Sequence, residues 1–315
     1  MKKILLFACL AGLTLNSCSD DFFNQVVDVD QPDYDKQLVI HSFAGTADTA
    51  LRVLLTRNYG ILETVSSDDW AVPNVNLTIR DENTSDVLTF QQSQDVYEKD
   101  AYVANVPPAF FQAGHRYHLK AEHPDYPTVE SWQTIPGPIQ VDSATYRING
   151  GISADGSEVS DLYVYLQDPP GVRNYYEMVA YRVSLRVNVI YDDQGNVIDQ
   201  DTVVSYSYSE YPVDSDDPNA RLGSFGSIVV SDELFDGQAY RMNMQIYRDY
   251  YESWDVTYVI RFRHITEEYF RYSVTALRKA ETEDIPFIEP VTVFGNLENG
   301  IGIFGMYHEQ LLPVK

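Results

Sequence analysis

An all-β protein of two β-sandwich-like domains, the first immunoglobulin-like and the second larger with one helix, is what this sequence predicts from three observations. Short runs of alternating apolar and polar residues succeed one another with turn residues between them. Aromatic residues are abundant, with 24 Tyr, 14 Phe and 3 Trp in 315 residues. A Pro136-Gly137-Pro138 segment interrupts the succession. Period-two alternation marks half-buried strands, aromatics favour them, and a glycine between two prolines makes a stiff connector rather than a strand.

Residues 36–135 form the expected first domain. Runs at 38–43, 51–57, 75–80, 87–91, 101–106, 116–122 and 128–134 read as about seven strands over 100 residues, the spacing of an immunoglobulin-like sandwich. Val75, Leu77 and Ile79 alternate with polar residues, as do Tyr117, Leu119 and Ala121. The expected second domain, residues 139–315, opens with runs at 141–148, 162–167 and 175–191. Asp192-Asp193-Gln194-Gly195-Asn196 then closes a hairpin that returns through 201–208, and strands follow at 228–230, 240–247 and 256–262.

One helix is expected near 266–280, where Phe270, Val274 and Leu277 recur at helical spacing. Thr266 is its N-cap, Glu267 and Glu268 fill the first turn, and Arg278 and Lys279 the last, as the helix dipole favours. The spacing predicts a cap over one end of the second sheet. Asn299-Gly300 then predicts a C-terminal hairpin, a two-residue turn that wants positive φ at both positions, with Gly302 and Gly305 leaving gaps for aromatics such as Phe294 or Tyr307 to cover.

Ahead of the first domain, Lys2 and Lys3, an apolar stretch from Ile4 to Leu15 and small residues at the end have the three parts of an export signal. The stretch falls short of the roughly 20 apolar residues that span a bilayer. Its end, Leu15-Asn16-Ser17-Cys18, resembles the lipobox of bacterial lipoproteins, which implies cleavage after residue 17 and lipid attachment (diacylation, palmitate-like chains) at Cys18. Several buried acyl chains hold a protein on a membrane. Cys9 would leave with residues 1–17, so no internal disulfide is expected. Ser19, Asp20 and Asp21 resemble the acidic surface-export tag of Bacteroidota lipoproteins, and residues 18–35 read as an acidic flexible tether.

A formal net charge of −25 excludes nucleic acid as a partner, because affinity for phosphate backbones is built from Lys and Arg. No metalloprotease, nucleophile-elbow or phosphate-loop motif is present, and nothing points to a cofactor. His115, His118 and His123 crowd together, but an odd separation on a strand sends His115 and His118 to opposite faces, so no zinc site is expected. Asp214, Asp216, Asp217 and Asn219 offer oxygens that suit calcium only weakly, without the glycine and terminal glutamate of an EF-hand loop. Tyr250, Tyr251 and Trp254 sit in a polar loop between two strands, where they serve either as a contact surface for a partner or ligand or as a lid on the sheet.

The lipobox with its acidic tag, the Thr134-Ile135-Pro136 ending of the first unit, the Tyr175-Tyr176 strand start, and Pro286-Phe287-Ile288-Glu289-Pro290-Val291 followed by 296–305 (NLENGIGIFG) resemble the Bacteroidota family catalogued as domain of unknown function 4249. That resemblance implies outer-membrane lipoproteins, often encoded beside TonB-dependent receptors, without established catalysis and with no catalytic residues to transfer. The function expected is therefore not enzymatic. It is that of a lipid-anchored outer-membrane protein facing the cell exterior, an accessory or ligand-capture partner of a TonB-dependent transporter; the alternative is a structural or assembly subunit of a surface complex.

Overall fold

A computed structural model describes residues 33–66, 69–153, 155–208, 215–224, 226–247, 256–283, 285 and 289–314. Of these, residues 33–35 and 59–65 belong to one unit, in which the Tyr34 hydroxyl donates to Glu63 at 2.5 Å. Residues 36–58 and 66–315 belong to the other, and it carries all the described strands.

That unit is all-β with a single described helix, as expected. Its strands are β1 (Leu38–Gly45), β2 (Ala50–Arg57), β3 (Asn76–Asp81), β4 (Val87–Thr89), β5 (Gln91–Gln92), β6 (Ala101–Asn105), β7 (Arg116–His123) and β8 (Tyr126–Thr134) before the connector. After it come β9 (Gln140–Ile152), β10 (Glu158–Gln167), β11 (Tyr175–Tyr191), β12 (Val197–Tyr208), β13 (Arg221–Gly223), β14 (Ser227–Ser231), β15 (Ala239–Tyr247), β16 (Val256–Ile265), helix α1 (Glu267–Thr282) and β17 (Ile301–Pro313). A ten-stranded sheet runs β13-β14-β11-β16-β17-β1-β2-β6-β5, with β12 paired to β11. It faces two smaller sheets, β4-β3-β7-β8 and β15-β10-β9.

Two main cores result. Leu38, Ile40, Val53, Leu77, Tyr117 and Leu119 belong to the first, and Leu162, Tyr176, Met242, Met244 and Phe262 to the second. The connector at 136–138 thus separates two cores but not two sheets, because the large sheet takes strands from both sides of it. Phe304 and Met306 of β17 also complete the first core.

The C-terminal hairpin is a correction. Asn299 does have positive φ (57°), but Glu298 bridges back to Glu130 on β8. Asn296 clasps Phe304 with both ends of its amide, at 2.9 Å each, and β17 then pairs parallel with β1, Val39 opposite Ile301 through Gly45 opposite Tyr307. Its second half runs antiparallel to β16, from Ile265 opposite Tyr307 to Val259 opposite Pro313. Gly300 lies outside the positive-φ set; its need for glycine is space, since a Cβ would come within 2.8 Å of both Val129 methyls. Over Gly305 lie Phe43 and Tyr269.

Helix α1 starts where expected, with Thr266 Oγ1 accepting from the Tyr269 amide at 3.4 Å. Rather than capping a sheet end, it covers the large sheet along the seam between the two cores. Its most buried side chains are Tyr269 and Ser273; Tyr269 packs on Phe43 of β1 with ring centroids 4.7 Å apart, and Phe270 on Tyr175 of β11 at 5.0 Å. Both faces of the first half of β17, residues 302–307, are buried for this reason, which explains why that half does not alternate polar with apolar.

Beneath the helix lies a buried charge network. Arg263 on β16 reaches Glu177 on β11 at 2.8 Å and Glu309 on β17 at 2.9 Å, and stacks over the Tyr307 ring 4.1 Å from its centroid. Tyr269 donates to Glu177 at 3.0 Å, and the Tyr307 hydroxyl meets Asp48 at 3.0 Å. One helix, three strands and the β1–β2 turn are tied through one guanidinium.

In the first sandwich, Asp81 is 1 % exposed. Burial would raise its pKa, but His115 at 2.8 Å and the amides of Asn83 and Thr84 together hold it below the usual carboxylate range. A depressed folded pKa stabilises above the unfolded value of about 4 and is lost as pH falls through the folded value. Melting temperatures measured from pH 6 down to 2 should therefore fall less steeply for Asp81→Asn than for the native protein. Equal slopes would show that this carboxylate does not drive acid unfolding.

Candidate functional site

Two loops at one end of the second core meet in an acidic cluster. The β10–β11 loop begins Asp168-Pro169-Pro170-Gly171, where two prolines end the strand and Gly171 (φ 81°) turns the chain. The β14–β15 loop begins with a short 3-10 turn, Asp232–Leu234, and leaves through Asp236-Gly237, with Gly237 at φ 72°.

Asp168 accepts from the Tyr176 hydroxyl and from the Gly237 amide at 2.7 Å. Asp232 Oδ2 accepts from the Asn174 backbone amide at 2.7 Å and its side-chain amide at 3.2 Å. Asp236 accepts from the Gly171 amide at 2.7 Å. One oxygen from each of the three aspartates lies within 4.8 Å of the others. Asp168 and Asp232 are each 1 % exposed, whereas Asp236 faces solvent. Burial, with the nearby Asp168 charge, raises the pKa of Asp232 against the pull of the Asn174 amide and Arg173. The same burial, with Asp168, pushes the Tyr176 phenol up, so it stays a donor. These residues are the described group able to hold a metal ion, through hard oxygen donors alone.

The same loop forms part of a cleft of about 670 Å³, which also takes in β8, the 136–138 connector and the start of α1. Its walls include Trp132, Tyr175, Arg116, Arg173 and His264. Trp132 is half-buried on the outer face of β8, with one ring face stacked on His118 (centroids 4.4 Å apart, planes 3° apart) and its indole N–H donated to Glu82 at 3.2 Å. His264 is kept neutral chiefly by burial, and its Nδ1–H points to the Gly137 carbonyl at 2.8 Å. The Thr266 hydroxyl is engaged at the helix cap. The cleft thus presents flat aromatic surface and two guanidinium groups, which suit binding and orientation rather than nucleophilic attack.

The expected site residues fare unevenly. Cys18, Ser19, Asp20 and Asp21 lie outside the described residues, as do Tyr250, Tyr251, Trp254 and Asp214. Asp216 pairs with Arg241 of β15 at 3.5 Å, while Asp217 accepts from the Tyr240 hydroxyl of β15 and, at 2.9 Å, from the Asn219 backbone amide. His115, His118 and His123 each meet a different carboxylate: Asp81 at 2.8 Å, Glu130 at 3.0 Å and Asp125 at 4.0 Å. Asp168, Asn174, Asp232, Asp236, Trp132 and Arg173 escaped sequence reading. Their only local signals are the Asp-Pro and Asp-Gly pairs, which mark turns generally.

No described helix is long and apolar enough to cross a membrane. Among solved structures, the chain is similar to a DUF4785 family protein from Legionella pneumophila, at 7 % identity over 71 % of this chain, with a TM-score of 0.23. The match spans 52 % of that protein, so this chain corresponds to about half its length. A variant of Salmonella alpha-2-macroglobulin matches at 9 % identity, covering 91 % of this chain and 15 % of that one, with a TM-score of 0.23. No curated protein matches the sequence. The family described as "Domain of unknown function (DUF4249)" matches residues 24–311.

Proposed function

From the premise that the chain belongs to the DUF4249 family, whose description assigns no activity, we propose that it is a surface-exposed outer-membrane lipoprotein acting as a non-catalytic ligand-capture partner of a TonB-dependent transporter. The observation that carries the capture role is the cleft, whose half-buried Trp132 and Tyr175 and whose Arg116 and Arg173 surround a space large enough for a small ligand. Lipid attachment at Cys18 and outward display through Ser19, Asp20 and Asp21 rest on the leader pattern and the acidic tether. Buried ionisable side chains such as Arg263, Glu177 and Asp81 pair with structural neighbours, which supports a non-enzymatic reading.

A second reading, an assembly subunit of a surface complex, draws on the β11–β12 hairpin. Its end exposes Ile190, Tyr191, Val197 and Ile198, each half exposed or more.

Extraction from native membranes in mild detergent, followed by mass spectrometry of copurifying proteins and small molecules, tests both. Capture predicts a transporter together with a retained ligand, and Trp132→Ala should lower ligand retention at least tenfold with a melting temperature close to native. A transporter or other surface protein without ligand favours the assembly reading. Cys18→Ala should move the protein from the membrane to the soluble fraction, and protease added to intact cells should remove the native form. Survival of the native form until the outer membrane is broken rules out surface display.

A further inference from the structure

We propose that the loops after β10 and β14 bind a divalent cation of the calcium type between Asp168, Asp232 and Asp236. The strongest indication is one atom. Asp232 is 1 % exposed, yet its Oδ1 accepts no hydrogen bond. The charge facing it is Arg173 Nε at 3.4 Å, and that side chain is half exposed and also reaches toward Glu233 at 3.8 Å. A buried carboxylate oxygen without a hydrogen bond is costly, and a cation is the partner that satisfies it most fully. Three carboxylates against one guanidinium leave two negative charges in a cluster where one oxygen of each aspartate already lies within 4.8 Å of the others, matching a divalent charge.

The donor set selects the class of ion. Every candidate ligand is oxygen, which suits hard cations and not zinc. Asn174 adds to the supply: its Nδ2 faces four acceptors, the Asp168 and Asp232 carboxylates and the Pro169 and Val172 carbonyls, at 2.8 to 3.5 Å, with only two hydrogens to give. Turned over, the same amide places an oxygen among them. Calcium, which takes about six to eight oxygens in a flexible shell that includes backbone carbonyls, fits such a loop better than magnesium. Binding would pin the segment carrying Pro169, Val172 and Arg173, which form part of the cleft, so the cation acts as a clamp on the cleft wall. The proposal stands apart from the ligand-capture reading and from the Asp214–Asn219 loop.

The test uses the full chain, stripped with EDTA and dialysed. Melting temperature and metal content are followed against added calcium chloride and, separately, magnesium chloride. About one calcium per chain is expected, with a rise in melting temperature that EDTA reverses and a weaker response to magnesium. Asp236→Asn should weaken calcium binding at least tenfold; the residue is exposed and its amide oxygen still accepts from Gly171, so the fold is retained. Asp232→Asn is the second variant and should abolish binding. The proposal is overturned if stripped protein takes up no calcium and its melting temperature does not move. It is equally overturned if Asp236→Asn binds like the native chain, or if binding vanishes instead on replacing Asp216 and Asp217.

Discussion

Arg263→Met is expected to cost the protein about 3–5 kcal/mol, the range for removing one partner of a buried ion pair. The cost comes less from the lost attraction than from what stays behind. Glu177 is fully buried and would lose the guanidinium that faces it, while the Glu309 side chain, 5 % exposed, would be left with Arg261 at 3.0 Å. Tyr269 would still donate to Glu177, but its single hydrogen cannot replace the Arg263 fork. Against a total stability of about 5–15 kcal/mol for a typical domain, such a loss brings the fold near its limit. Urea unfolding measures it directly. The double change Arg263→Met, Glu177→Gln should recover much of the deficit, because it removes the stranded carboxylate and leaves the Arg261–Glu309 pair in place. If the single variant unfolds at the native urea midpoint, the network contributes little and the helix is held by its apolar face.

Gly302→Val should be of similar size. Gly302 sits at φ 115°, a conformation that side-chain-bearing residues rarely adopt, and a Cβ there would overlap the Ile40 carbonyl oxygen of the strand it pairs with. The backbone strain contributes about 1–3 kcal/mol and the forced displacement of β1 about 1–3 more. Ile40 belongs to the first core, so the displacement spreads. Gly195→Ala is the matched control: φ is also positive (83°), but nothing lies within 4 Å of its Cβ position, so about 1 kcal/mol is expected. Thermal melts that place the two variants together would deny the close approach of β1 and β17.

Strands were legible wherever a face alternates. The run at 175–191 matches β11 to the residue, and Asp192 closes its hairpin by accepting the amides of Gln194 and Asn196, as short turns with Asp at their head do. The partner of β17 was not legible. Asn299-Gly300 is a local signal and suggests a local pairing, whereas β1 lies some 260 residues earlier in the chain and leaves no mark near residue 301. The helix was placed correctly, but its deepest side chain is Tyr269, one position from Phe270, because the charge network draws a polar aromatic inward. The acidic cluster joins residues 168 and 232–236, and proximity in space between two loops has no periodicity to betray it.

The position of β17 bears on how the chain reaches its native state. During synthesis, β1 must wait with one side unpaired until nearly the whole chain has emerged, and so must β16 for a shorter time. Closing so long a loop is entropically slow, and an open strand edge is an invitation to other chains. The N-terminal sandwich therefore cannot mature on its own ahead of the rest of the chain. Its sheet, its first core and the seat of its covering helix are completed together by one late strand, so a chain cut short before residue 301 would fail in both halves at once rather than lose only its end.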